Sequence, residues 1–292
     1  MLNPEAFFTN VELPDTSVSS AALAGYVLIL LVGLVVDGVV FLRTREGGTR
    51  WPRRARHLLR RRVTGRNLLA VMTVVFSLYL LVTGVLVVTG LSKKLCESTQ
   101  FIVYSFTFHW AVLFCTAIFL SLHNVRWRAA FGLRLSRVRV DAGRGLVAYL
   151  GMMPIVFLYM LLYNMLLQTL GHEIEMQDVA KALSADGPGF TRYYLLFMAL
   201  ILAPVAEEIV FRGLLLPLMA RKLGLSRSIL IVSVLFAAVH PHLPALVPLF
   251  VVSIFLCVGY AYTNSLAVPI VMHMMFNGVN ILLLYCSGNG IH

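Results

Sequence analysis

The stretch ILAPVAEEIVFRGLLLPLM, residues 201–219, places three ionisable side chains, Glu207, Glu208 and Arg212, inside an otherwise apolar run. The run extends over roughly 190–219, and about 20 such residues let a helix cross the hydrocarbon core of a bilayer. A charge at mid-membrane costs about 2.5–3.5 kcal/mol on insertion scales, so charges kept there call for a reason. Glu208 and Arg212 stand at i and i+4, a spacing that lets them pair along one helix face. Glu207 points about 100° away from that face and is left to meet another helix. A carboxylate so placed is a candidate general base. The trio also reads as a charge cluster that only holds helices together, and at this point both readings are open.

Moving outward, the whole chain has the same character. Of 292 residues, 59% are hydrophobic and 13% charged, and the mean hydropathy is +0.85. A soluble domain has about half its residues apolar and a quarter charged, which excludes that class. The net charge of +11 does not point to nucleic acid, because the basic residues fall in short runs between apolar stretches. Spanning segments are expected at roughly 21–43, 67–91, 101–122, 145–170, 190–219, 228–242, 244–262 and 266–286. The sixth is short and ends at His240-Pro241-His242, where proline stops or turns a helix. The expected fold is therefore an all-α polytopic transmembrane bundle of about eight helices.

Basic loops stay on the cytoplasmic side. The linkers Arg43 to Arg66 and Arg126 to Arg144 are both arginine-rich, and Arg221, Lys222 and Arg227 fall on the same side by counting crossings. The acidic stretch Glu173 to Asp186 falls on the other side, and Lys93 and Lys94 dissent. The expectation is N-out and C-out, with a short non-cytoplasmic tail at the start and no cleaved signal, since no basic region precedes the first apolar run. No linker is long enough for a separate soluble domain. Cys96, Cys115, Cys257 and Cys286 lack CxxC spacing and read as small apolar filler. No internal repeat, glycine-rich phosphate loop or HExxH signature is present, and His172-Glu173-Ile174-Glu175 lacks the second histidine.

Two further segments carry polar side chains at helical spacing. In SILIVSVLFAAVHPHL, Phe236 and His240 stand four apart, and in LAVPIVMHMMFNGVNILLLY so do His273 and Asn277. Asn280 lies on a neighbouring stripe, where it can assist or merely pack. Each pair alone reads more readily as packing. Together they supply a carboxylate, two imidazoles and an amide to three late helices, and bundling would gather them in one wet cavity, because lipid offers no polar partner.

EExxxR at Glu207, Glu208 and Arg212, FxxxH at Phe236 to His240 and HxxxN at His273 to Asn277 closely resemble, in that order, the CAAX-protease and bacteriocin-processing (Abi) family. That family includes the type II CAAX prenyl endopeptidases. The resemblance covers residues 145–286, so 145–292 is expected to form the peptidase core, while 1–144 supplies membrane segments and basic linkers without a motif. What it implies is an intramembrane endopeptidase in which Glu207 activates water with the help of His240. His273 and Asn277 would stabilise the oxyanion, and Glu208 and Arg212 would form the supporting pair.

No cofactor is the favoured expectation, since no compact ligand pair is present and Asn277 is a poor zinc ligand but a good oxyanion donor. Zinc held by Glu207, His240 and His273 is the alternative. The implied partners are a peptide or protein substrate, lipidated or not, and membrane lipids, with no nucleic acid. The implied location is a bacterial or archaeal cytoplasmic membrane. A membrane scaffold or immunity protein that keeps the cluster without catalysis is the competing function. A proton-coupled transporter using Glu207 as carrier is disfavoured for want of repeated halves.

Overall fold

The computed structural model describes residues 20–47, 65–95, 97–172, 183, 189–240 and 242–286. The N-terminal tail, the middle of the first basic linker, Cys96, nearly all of the acidic stretch from Glu173 to Asp186 and Pro241 lie outside the described residues. Every regular element among the described residues is helical. The principal helices are α1 Ser20–Gly47, α2 Gly65–Val88, α3 Glu97–Leu122, α4 Val138–Thr169, α5 Gly189–Leu223, α6 Leu225–Ala238, α7 Leu246–Thr263 and α8 Ala267–Cys286. Apolar solvent leaves the backbone no outside partner, so helices that satisfy their own amides are the economical answer for such a sequence.

Seven of these helices are long and apolar enough to cross a membrane. The exception is α6, whose 14 residues rise about 21 Å. Its boundaries differ from the expected 228–242 because the helix ends at Ala238 and the chain turns at Val239 and His240, ahead of Pro244. Gly224, with φ of 78°, makes the turn from α5 into α6, and Asn264 at φ 57° ends α7 by donating its backbone N–H to the Tyr260 carbonyl at 2.7 Å. Much of the apolar surface faces outward, as on α1 (Leu28, Leu34, Val35) and α2 (Leu69, Leu81, Val88). Such a surface suits contact with lipid chains.

Helix α4 is the hub. It packs against α1, α7 and α8, while α3 lies between α2 and the middle of α5, and α6 and α7 form a hairpin. Small residues set the closest approaches. A Cβ on Gly145 would stand 2.7 Å from the Val271 side chain of α8, and one on Gly33 of α1 would collide with the Leu150 carbonyl of α4. At one end of the bundle, the Leu266 amide before α8 donates to the Phe131 carbonyl at 3.0 Å. There the α7–α8 turn meets Arg128, Arg137 and Arg144, so the second basic linker and that turn share one end. Asp141, almost fully buried there, accepts from Arg144 at 3.1 Å.

Candidate active site

Helix α5 is not uniformly wound. Two π-helical segments, Met198–Leu202 and Ile209–Leu215, flank the α-helical turns Ala203–Glu208. Pro204 and Pro217 each sit just after one of them. A proline removes one amide donor from the ladder, and a wider turn ahead of it accommodates the gap. The glutamate pair thus lies between two distortions of its own helix.

Glu208 and Arg212 pair as the i,i+4 spacing predicts, with Arg212 Nη1 2.8 Å from Glu208 Oε1 and both side chains at 0% exposure. The other guanidinium nitrogen, Nη2, donates to Ser253 Oγ at 2.7 Å and to the Ser253 carbonyl at 3.3 Å, linking α5 to α7. The cation also lies 4.5 Å from the centroid of the buried Phe236 ring. Two charges removed from water persist only with such additional partners. The pair has a second task that its spacing does not reveal. Glu208 Oε1 accepts from His273 Nδ1 at 2.9 Å, fixing the imidazole of α8.

Glu207 faces the other way. Its Oε2 stands 3.9 Å from His240 Nε2 and 3.9 Å from His273 Nε2. Its Oε1 stands 3.9 Å from Nε2 of His109, on α3. The Glu207 side chain is 17% exposed, while its Oε2 is buried and has no hydrogen-bond partner among the described residues, which leaves it in want of a donor. Each imidazole has its Nδ1 engaged by an acceptor: the Ser105 carbonyl for His109 at 2.6 Å, the Phe236 carbonyl for His240 at 2.7 Å and the Glu208 carboxylate for His273. A carbonyl or carboxylate oxygen cannot donate, so the proton of each neutral ring sits on Nδ1 and Nε2 presents a lone pair. Three lone pairs therefore converge on one carboxylate.

Two acceptors 3.9 Å apart are too far for a direct hydrogen bond and need a donor between them. A water making bonds of about 2.8 Å to each, at an angle of about 90°, spans that gap. Tetrahedral ligands about 2.1 Å from a zinc ion stand about 3.4 Å apart, against 3.9 Å from Glu207 Oε2 to Nε2 of His240 and of His273. Among the described residues, no group of three or more His, Cys, Asp or Glu side chains is arranged to hold a metal ion.

The remaining expected residues are placed as follows. Phe236 is fully buried, its ring centroid 4.9 Å from that of His240 and 5.8 Å from that of His273, so it floors the site. Asn277 donates from Nδ2 to the Ala199 carbonyl in the first π segment at 2.8 Å, which ties α8 to α5 and commits one of its two N–H groups. Asn280 is exposed and bonds back to its own helix at Phe276, away from the cluster. His109 was missed by motif reading. The one signal it offers in the sequence is an ionisable residue in the middle of an apolar segment.

Residues 189–279 match the family model described as Type II CAAX prenyl endopeptidase Rce1-like. No curated protein and no solved structure matches the chain significantly. The matched stretch runs from α5 into α8 and contains all three motifs, while His109 lies outside it. Seven apolar helices of spanning length make the chain an integral membrane protein, and over residues 189–279 it is similar to the type II CAAX prenyl endopeptidase Rce1-like family, the resemblance carried by its EExxxR, FxxxH and HxxxN motifs.

Proposed function

We propose that the chain is an intramembrane endopeptidase in which Glu207 activates water against a peptide carbonyl. The observation that carries this reading is the facing of Glu207 Oε2 by the Nε2 atoms of His240 and His273 at 3.9 Å each. A water between Oε2 and His240 donates both its hydrogens to acceptors, leaving an oxygen lone pair for the substrate. As the new C–O bond forms, the water proton passes to Glu207 and the carbonyl π electrons move onto oxygen. When the C–N bond breaks, the same proton passes from Glu207 to the departing amine.

Charge on the tetrahedral oxygen needs donors, and one preorganised donor contributes about 3 kcal/mol. Asn277 retains a second N–H for this task. His273 is able to donate from Nε2 only as the imidazolium, because its Nδ1 proton is held by Glu208. The Glu208 carboxylate is the counter-charge such a cation needs, and Arg212 in turn holds Glu208 in place. The reading is metal-free.

The substrate class we assign is a peptide or protein segment entering from the bilayer, prenylated CAAX-type termini included. The location we assign is a bacterial or archaeal cytoplasmic membrane, N-out and C-out, with the arginine-rich end cytoplasmic. Purified protein in lipid, offered prenylated and unmodified peptides, tests the activity. Glu207→Ala and His240→Ala are expected to lower the rate at least 100-fold, and chelators to leave it unchanged. Cleavage by these variants as fast as by the parent contradicts the reading. A non-catalytic scaffold is favoured only by the full burial of the Glu208–Arg212 pair, and it requires that Glu207→Gln preserve cellular function.

A further inference from the structure

His109 comes from α3, a helix outside the family match, yet it approaches Glu207 as closely as the two motif histidines do. The three imidazoles divide the carboxylate between them. Among the described residues, His240 and His273 address Oε2 and His109 addresses Oε1. Its ring is held by the bond from Nδ1 to the Ser105 carbonyl at 2.6 Å and is edge-on to Phe108 at 5.4 Å between centroids. The side chain is 12% exposed, so it sits against the site rather than in lipid.

We propose that His109 is a positioning residue for Glu207, sharing one proton with Oε1 so that Oε2 remains turned toward the nucleophilic water. This deepens the proposed function and rests on it. Without a partner on Oε1, the terminal torsion of a glutamate is broad, and the carboxylate plane swings so that no oxygen is held toward the water. With His109 in place, the shared proton passes between Oε1 and Nε2 through one water that spans the 3.9 Å between them. When it resides on His109, the carboxylate is anionic and Oε2 accepts the proton of the attacking water. The proton returned to the leaving amine comes from the same oxygen, so His109 is unchanged over the cycle.

The groups facing this pair are few. From α5 they are Glu208 and Arg212, which neutralise each other; from the turn after α6 the group is His240 and from α8 it is His273. Among the described residues, no second acid pairs with His109, so a proton exchanged between the two groups is shared by them as one unit. The acid side of the pH–rate profile then belongs to the pair rather than to Glu207 alone.

The test is steady-state hydrolysis by the full chain in lipid, with melting temperatures recorded for every variant. His109→Ala is expected to lower kcat about 30- to 100-fold with KM near that of the parent, since it misorients rather than removes the base. His109→Gln keeps a side-chain N–H able to hold Oε1 but cannot exchange a proton. It is expected to recover roughly tenfold of that loss and to move the acid limb of the pH profile. Parental kcat and pH profile in His109→Ala overturn the proposal, as does a His109→Gln variant that melts like the parent and performs no better than alanine. If His109→Ala does not fold, His109→Gln alone decides through its pH profile. The readings separate: a parent that hydrolyses and a dead Glu207→Ala with an unaffected His109→Ala sink only this inference, whereas a parent that cleaves nothing sinks both.

Discussion

Arg212 is a full charge with no exposed surface, and it binds three helices at once through Glu208, Ser253 and Phe236. Removing it leaves the Glu208 carboxylate and its hydrogen-bonded His273 without a cation. Arg212→Ala is therefore expected to cost about 3–5 kcal/mol of stability, read as a large drop in melting temperature in detergent. Arg212→Lys is expected to fall between the two, because a point charge cannot serve Glu208 and Ser253 with one planar fork. A parental melting curve for Arg212→Ala contradicts this role. The pairing itself was legible from the spacing of Glu208 and Arg212. The bond from His273 to Glu208 was not, since 65 residues separate them and only the tertiary arrangement brings them together. His109 was illegible for a related reason: its polar neighbours at helical spacing, Ser105 and Thr116, are small hydroxyl residues common in apolar helices and do not raise it above packing.

At the scale of elements, the apolar runs marked the helices well because a spanning segment is defined by length and composition alone. What they did not mark was the winding of α5. Its π segments leave the same apolar pattern as an α-helix, and only Pro204 and Pro217 hint at the change. The early end of α6 followed from the prolines after it, although its boundary moved by several residues. Helix α8, which carries His273 and Asn277, depends on Gly145 of α4 for its seat. Gly145→Leu forces the two helices apart and is expected to cost about 1–3 kcal/mol. Because the imidazole then withdraws from Glu207, hydrolysis is expected to fall more than stability does. Equal stability and activity in this variant contradict the seating of α8 on α4.

For the whole molecule, the arginine-rich end gathers the second basic linker and the α7–α8 turn. That arrangement makes the direction of α8 independent of whether the short α6 crosses fully, since the α6–α7 hairpin delivers the chain back to this end. With native cysteines removed, Arg134→Cys is expected to resist an impermeant thiol reagent in intact cells, and Ser184→Cys to react with it. The reverse pattern contradicts the orientation. The division of labour is also a whole-molecule property. The late helices and the turn after α6 supply Glu207, His273 and His240, and an early helix, α3, adds His109 beside them.

The central claim is that Glu207 delivers a water oxygen to a peptide carbonyl within the membrane. Its most direct measurement is peptide hydrolysis by the purified chain in lipid vesicles prepared in oxygen-18 water, with mass spectrometry of the products, for the parent and for Glu207→Gln. The expected result is one heavy oxygen in the new carboxylate from the parent and cleavage at least 100-fold slower from Glu207→Gln, with both proteins melting alike. Equal cleavage by the two, or none by the parent, would contradict it.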